Sequence, residues 1–177
     1  MWRYFFTITL FIQNNEKIMS MIGNLLMISE QNLQQLLDDP SLIEGYIFVG
    51  QDSDQFLDLD KSWHAIHFML NGHVYEGDLA MVFFGGEEIG EDLGYGAVRY
   101  LTPGQVKHVA EVISKINDEA FSRKYDPQTM DQVGIYPDVW EIDGADGLEY
   151  VLPYFQDLKV FYQNAVLRNQ AVLIYIN

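Results

Sequence analysis

The chain has 177 residues, 49% of them apolar and 14% aromatic, which is enough for one domain with a sizeable core. Its formal charge of -16, from 10 Lys+Arg against 26 Asp+Glu, argues against nucleic-acid binding and against anionic membrane surfaces, both of which need clustered cations. The absence of cysteine excludes disulfides, thiolate metal sites and cysteine nucleophiles.

Residues 1–20 carry Arg3, an apolar run from Tyr4 to Ile12, and then Gln, Asn, Asn and Glu. The run is too short to span a bilayer and no small-x-small cleavage site follows it. The preferred reading is a wrongly assigned start, with Met19 or Met21 the true beginning. A secretory signal and a first strand are the alternatives. Residues 21–177 are then the single folded domain, and the protein is expected to be cytoplasmic.

Met21–Ile28 is apolar and reads as a strand. Ser29 reads as the N-cap of a helix with Leu33, Leu36 and Leu37 on one face, stopped at Asp38-Asp39-Pro40. Residues 42–49 are apolar and of ambiguous type. Four aspartates follow at 52, 54, 58 and 60, but their spacing is not that of a calcium-binding loop. Asp60 is expected to cap the next helix, which ends near Asn71-Gly72. Residues 78–84 read as one or two helical turns. Residues 85–96 hold five glycines and four carboxylates, and are expected to form a loop with positive φ angles. Like charge rules it out as a phosphate cradle.

Ala97–Leu101 reads as a strand. Thr102-Pro103-Gly104-Gln105 is a capping box with proline at the first helical position. The helix it opens places Val106, Val109, Ala110, Ile113 and Ile116 inward and His108 in solvent. Asn117, Asp126 and Asp146 are further N-cap candidates. The last of these opens a long helix with Tyr154, Leu158, Phe161, Tyr162 and Ala165 inward. Ala171–Ile176 reads as a buried strand. The elements imply an α+β fold: a single helix-rich domain packed around a small, mostly antiparallel sheet.

Four stretches carry a resemblance: Asp58-Leu-Asp-Lys-Ser-Trp63-His64-Ala-Ile-His67-Phe-Met-Leu-Asn-Gly72, Glu91-Asp-Leu-Gly-Tyr-Gly-Ala-Val-Arg-Tyr-Leu-Thr102, Ile135-Tyr-Pro-Asp-Val-Trp140 and Phe161-Tyr-Gln-Asn-Ala165. In this order they resemble the YfbM-like family of bacterial proteins, a domain of unknown function. The likeness runs from about Met21 to the C-terminus. It implies a cytoplasmic α+β protein and supplies no catalytic residue.

The candidate site gathers around Trp63, His64 and His67. Helical spacing puts the two imidazoles on one surface, where they could serve as metal ligands with Asp58, Asp60 or Asp92 as a third. The plainer reading has both histidines hydrogen-bonded to loops beside a buried Trp63, with no metal and no cofactor. For acid–base chemistry the candidates are His67, Asp92 and Arg99, with Tyr95 as a helper. The plainer reading there pairs Arg99 with Asp92 across the glycine loop. Trp63, His64, His67, Asp92, Tyr95 and Arg99 together form the candidate binding set. Two functions follow. The preferred one is a small acidic protein-binding module, immunity- or anti-toxin-like, that neutralises a basic protein. The alternative is a hydrolase or metal-dependent enzyme built on His64, His67 and Glu91-Asp92.

Overall fold

The computed structural model describes residues 20–51 and 53–177. The expectation about the start of the chain falls on residues 1–19 and lies outside the described residues.

Five strands form one sheet: β1 (Gly23–Ile28), β2 (Phe56–Asp58), β3 (Glu87–Asp92), β4 (Ala97–Leu101) and β5 (Ala171–Ile176), in the order β2-β1-β5-β4-β3. Every neighbouring pair is antiparallel. The last strand of the chain therefore lies in the middle. It is buried on both faces, which accounts for the unbroken apolar run Ala171–Ile176. Side-chain alternation divides the sheet's residues between two cores. Leu25, Met27, Val172 and Ile174 face one, while Leu26, Ile28, Leu173 and Tyr175 face the other.

The first core is covered by a thick helical layer. It comprises α3 (Ser62–Asn71), α4 (Met81–Phe84), α5 (Pro103–Ile113), α6 (Asp118–Ser122), α7 (Pro127–Gln132), α8 (Trp140–Asp143) and α9 (Ala145–Leu167). The capping box of α5 forms as the sequence predicts, and Val106, Val109 and Ile113 are buried against α9. Burial of each such side chain is worth about 1.5–3 kcal/mol. The second core has a thin cover of α1 (Glu30–Asp38), a 3-10 turn (Pro40–Leu42) and α2 (Ile43–Gly50).

This is a helix-rich α+β fold on an antiparallel sheet, as the sequence implies. Four local expectations are corrected. Residues 87–92 are a strand, although Gly86, Gly90, Gly94 and Gly96 do take positive φ. β3 is an edge strand, which tolerates charge because only one side is paired. Asp60 does not cap α3: its carboxylate accepts from the Tyr150 hydroxyl instead, 3.0 Å away. The long helix starts at Ala145, ahead of Asp146. Leu37, expected on the inner face of α1, is 39% exposed.

Candidate functional site

The helix α3 carries Trp63, His64 and His67. Residues 62–70 contain no Asp, Glu, Lys or Arg, and such a helix is expected to be buried all round. Ser62 to Met69 are all buried. The helix is closed by Gly72, whose φ of 72° is the left-handed conformation that suits glycine.

His64 is 3% exposed and both its ring nitrogens are engaged. The backbone N–H of Tyr136 donates to Nδ1 at 3.0 Å. An amide N–H can only donate, so Nδ1 is the acceptor and Nε2 carries the proton. That Nε2–H donates to the Val74 carbonyl at 3.1 Å. The ring is also sandwiched: Trp63 stacks on it with centroids 4.8 Å apart, and Tyr75 with centroids 5.5 Å apart. His64 thus ties α3 to the loop at 72–80 and to the connector at 135–139.

His67 is fully buried. The Asn71 amide donates to its Nδ1 at 3.3 Å and to its carbonyl at 3.0 Å, while the Asn71 side-chain oxygen accepts from the Leu79 N–H at 2.8 Å. Phe84 meets the His67 ring edge to face, with centroids 4.7 Å apart. The protonated Nε2 has no hydrogen-bond partner. Burial pushes the His67 pKa down to about 4, with His64 adding to the shift, and burial likewise lowers that of His64. Both rings are held neutral near pH 7.

Trp63 is 4% exposed, and its Nε1–H donates to the Met21 carbonyl at 3.0 Å. The Tyr136 hydroxyl accepts from the Met21 N–H at 3.2 Å. The two aromatic residues therefore clamp the chain where it enters β1.

Asp92 and Arg99 belong to the β3–β4 hairpin. Asp92 accepts from the N–H groups of Gly94 and Gly96 at 2.7 and 2.8 Å, and these bonds lower its pKa. It organises the turn that holds the half-buried Tyr95. Arg99 pairs with Glu88 at 2.6 Å, not with Asp92 as expected. The register is the reason: Glu88 lies directly across from Arg99, and Asp92 lies across from Ala97. The same guanidinium donates to the carbonyls of Gly85 and Gly86, both at 3.1 Å.

The six predicted residues thus form two assemblies. Trp63, His64 and His67 knot α3 to its neighbouring loops, and Asp92, Tyr95 and Arg99 shape a hairpin. Among the described residues no group of three His, Cys, Asp or Glu side chains could hold a metal ion. Sequence reasoning missed Asn71, Val74 and Tyr136, the partners of the histidines. Two of them act through the backbone, which leaves no residue-type signal. The charge-free run 62–70 was the available sign that both imidazoles are buried.

The fold and these contacts define an acidic α+β domain with a histidine-pinned central helix. The chain belongs to the family described as "Domain of unknown function (DUF1877)", whose pattern it matches over residues 19–175. Its structure is similar to the crystal structure of YfbM from Escherichia coli, a protein of unknown function. The TM-score is 0.71 and the identity 19%, over 89% of this chain and 100% of that one. No curated protein matches the chain. The resemblance drawn from the sequence motifs is thereby confirmed. Among the described residues no helix is long and apolar enough to cross a membrane.

Proposed function

We propose that this is a cytoplasmic bacterial protein-binding module that neutralises a basic protein, in the manner of an immunity protein or anti-toxin. One observation carries the reading: charge is unevenly distributed along the chain. From Ser20 to Asp60 there are eight carboxylates, at 30, 38, 39, 44, 52, 54, 58 and 60, and no Lys or Arg. Between Lys61 and Arg99 there is again no Lys or Arg. Arg99 is already paired with Glu88, and Arg168 with Asp54. A surface built this way repels anions and raises the encounter rate of cationic partners.

The alternative, a hydrolase or metal-dependent enzyme using His64, His67 and Glu91-Asp92, has narrower support in the unpaired Nε2 of His67. Against it, both nitrogens of His64 are occupied and His67 is out of reach of solvent.

The test is capture from native lysate at about 50 mM and at about 500 mM salt, conditions that differ severalfold in screening length. Captured proteins are identified by mass spectrometry and the association rate of the purified partner is then measured. The expected result is a basic partner whose association slows by about tenfold or more as salt rises. Recovery of no basic partner at low salt, or an association rate indifferent to salt, counts against the module.

A further inference from the structure

Among the described residues, two helices of eight residues or more have the largely apolar composition of a buried segment. In α3 that composition is honoured, with Ser62–Met69 all buried. In α2, Ile43-Glu-Gly-Tyr-Ile-Phe-Val-Gly50, it is not. Glu44 is the one charged residue, yet Phe48 is 77% and Val49 74% exposed, and Leu42 just before the helix is 45% exposed. An apolar helix face left open at the surface marks a face meant to be covered.

Three open hollows also border α2. A cavity of about 510 Å³ opens between it and β1, lined by Leu26, Ile28, Leu42, Tyr46 and Val49. A second, of about 450 Å³, lies between the Pro40–Leu42 turn and β3, lined by Ile43, Leu93, Glu44 and Glu91. A third, of about 470 Å³, borders Ile47 and Phe48. The rim of this apolar ground is acidic. Glu44 and Glu91 line the second of these hollows, and the exposed Asp38 and Asp39 immediately precede the Pro40–Leu42 turn that borders it. Arg99, the one Lys or Arg of the β3–β4 hairpin, is held by Glu88 and two glycine carbonyls.

We propose that the α2 face is the docking surface for a lysine- or arginine-rich segment of a partner protein that carries apolar anchors. The anchors would enter the hollow between α2 and β1 and cover Phe48 and Val49. The cations would meet the carboxylates of the rim. This rests on the reading of the protein as a binder of basic partners and assigns that binding to one surface. A second copy of the chain fits less well, because a two-fold contact uses the same patch on both copies and so brings two acidic rims together. The acidic rim equally disfavours nucleic acid.

The chain has no cysteine, so Val49→Cys in the full-length protein gives one attachment point for an environment-sensitive fluorophore. The probe is a fluorescently tagged amphipathic peptide of lysine and leucine, with a glutamate–leucine peptide as its counterpart. Peptide anisotropy reads binding anywhere on the protein, and the label at residue 49 reads this face. The expected result is that the lysine peptide raises anisotropy and shifts the label to shorter wavelength, while the glutamate peptide does neither. Phe48→Ser is expected to weaken binding about tenfold or more, and so is Glu44→Lys, the latter most at low salt. Phe48 is exposed, so Phe48→Ser is expected to fold; an unchanged thermal melt verifies this.

Anisotropy that rises with a silent label places basic segments elsewhere: the surface assignment falls and the basic-partner reading stands. Binding unaffected by Phe48→Ser has the same meaning. A label already shielded in the free protein overturns the proposal in favour of the chain's own residues 1–19 if shielding is independent of concentration. If shielding grows with concentration, the occupant is a second copy. No response in either signal overturns the proposal, and the lysate capture then decides the broader reading separately.

Discussion

Nδ1 of His64 accepts the backbone N–H of Tyr136 across 72 residues of chain, at 3.0 Å. The opposite nitrogen of the same ring holds the Val74 carbonyl. A side chain that looked like a ligand or a catalyst is in place a three-way fastener. It joins the central helix to a loop on one side and to the aromatic connector on the other.

His64→Ala removes both bonds and leaves the Tyr136 N–H and the Val74 carbonyl without their partner. The expected loss is about 2–3 kcal/mol, read from urea denaturation. His108→Ala, on the exposed face of α5, is the control and should change stability by less than about 0.5 kcal/mol. Equal effects from the two substitutions would refute the fastening role.

Acid should destabilise the fold through His67. Its pKa is about 4 when folded and 6.5 when free, so the unfolded chain takes up the proton first as pH falls. Stability from this group is complete above pH 6.5 and drains away as pH drops toward 4, with about 3 kcal/mol lost by then. His64, shifted in the same direction, adds to the loss. Denaturation across this range for the native protein and for His67→Leu should show a shallower pH slope in the variant. An identical slope would remove His67 as the cause.

Gly86 and Gly94 both have positive φ, but only one is crowded. A Cβ at Gly86 would collide with the Tyr100 carbonyl, whereas nothing lies within 4 Å of one at Gly94. Gly86→Ala should therefore cost about 3 kcal/mol or more, and Gly94→Ala about 1 kcal/mol, the conformational penalty alone. Thermal denaturation of the two variants gives the order directly, and a reversal would contradict the hairpin geometry.

Arg99 should matter through the backbone it holds more than through its ion pair. Glu88 is 61% exposed, so Glu88→Gln is expected to cost less than about 0.5 kcal/mol. Arg99→Met also abandons the carbonyls of Gly85 and Gly86 and should cost about 1–2 kcal/mol. Matching losses in the two variants would mean that the ion pair dominates.

Zinc, nickel and manganese should leave the melting temperature unchanged, and the purified protein should carry no stoichiometric metal by elemental analysis. A site bound only in the folded state would raise the melting temperature in proportion to its occupancy. The grounds for expecting none are the occupied nitrogens of His64 and the buried ring of His67. A metal-dependent shift lost in His67→Leu would restore the enzymatic alternative.

Much of the fold was legible locally. The Thr102–Gln105 box, the Ser29 cap, the Gly72 stop and the apolar run 171–176 each act within a few residues, and each formed as read. The strand at 87–92 was not legible, because an edge strand paired on one side needs no apolar pattern. The ion pair of Arg99 was also hidden. Its choice between Glu88 and Asp92 depends on hairpin register, and a bulge between Ile89 and Asp92 sets that register.

The sequence by itself determined the class of the protein: an acidic α+β domain, its family, and a central helix without charge. Tertiary structure alone decided what the histidines do. Their partners are backbone groups at Val74 and Tyr136 and an amide at Asn71, and a backbone N–H or carbonyl looks the same at every residue until the chain has folded around it. It also decided which apolar helix is covered. Both α2 and α3 are mostly apolar, but α3 is packed within the thick helical layer while α2 is itself part of the thin cover of the second core, with Phe48 facing solvent.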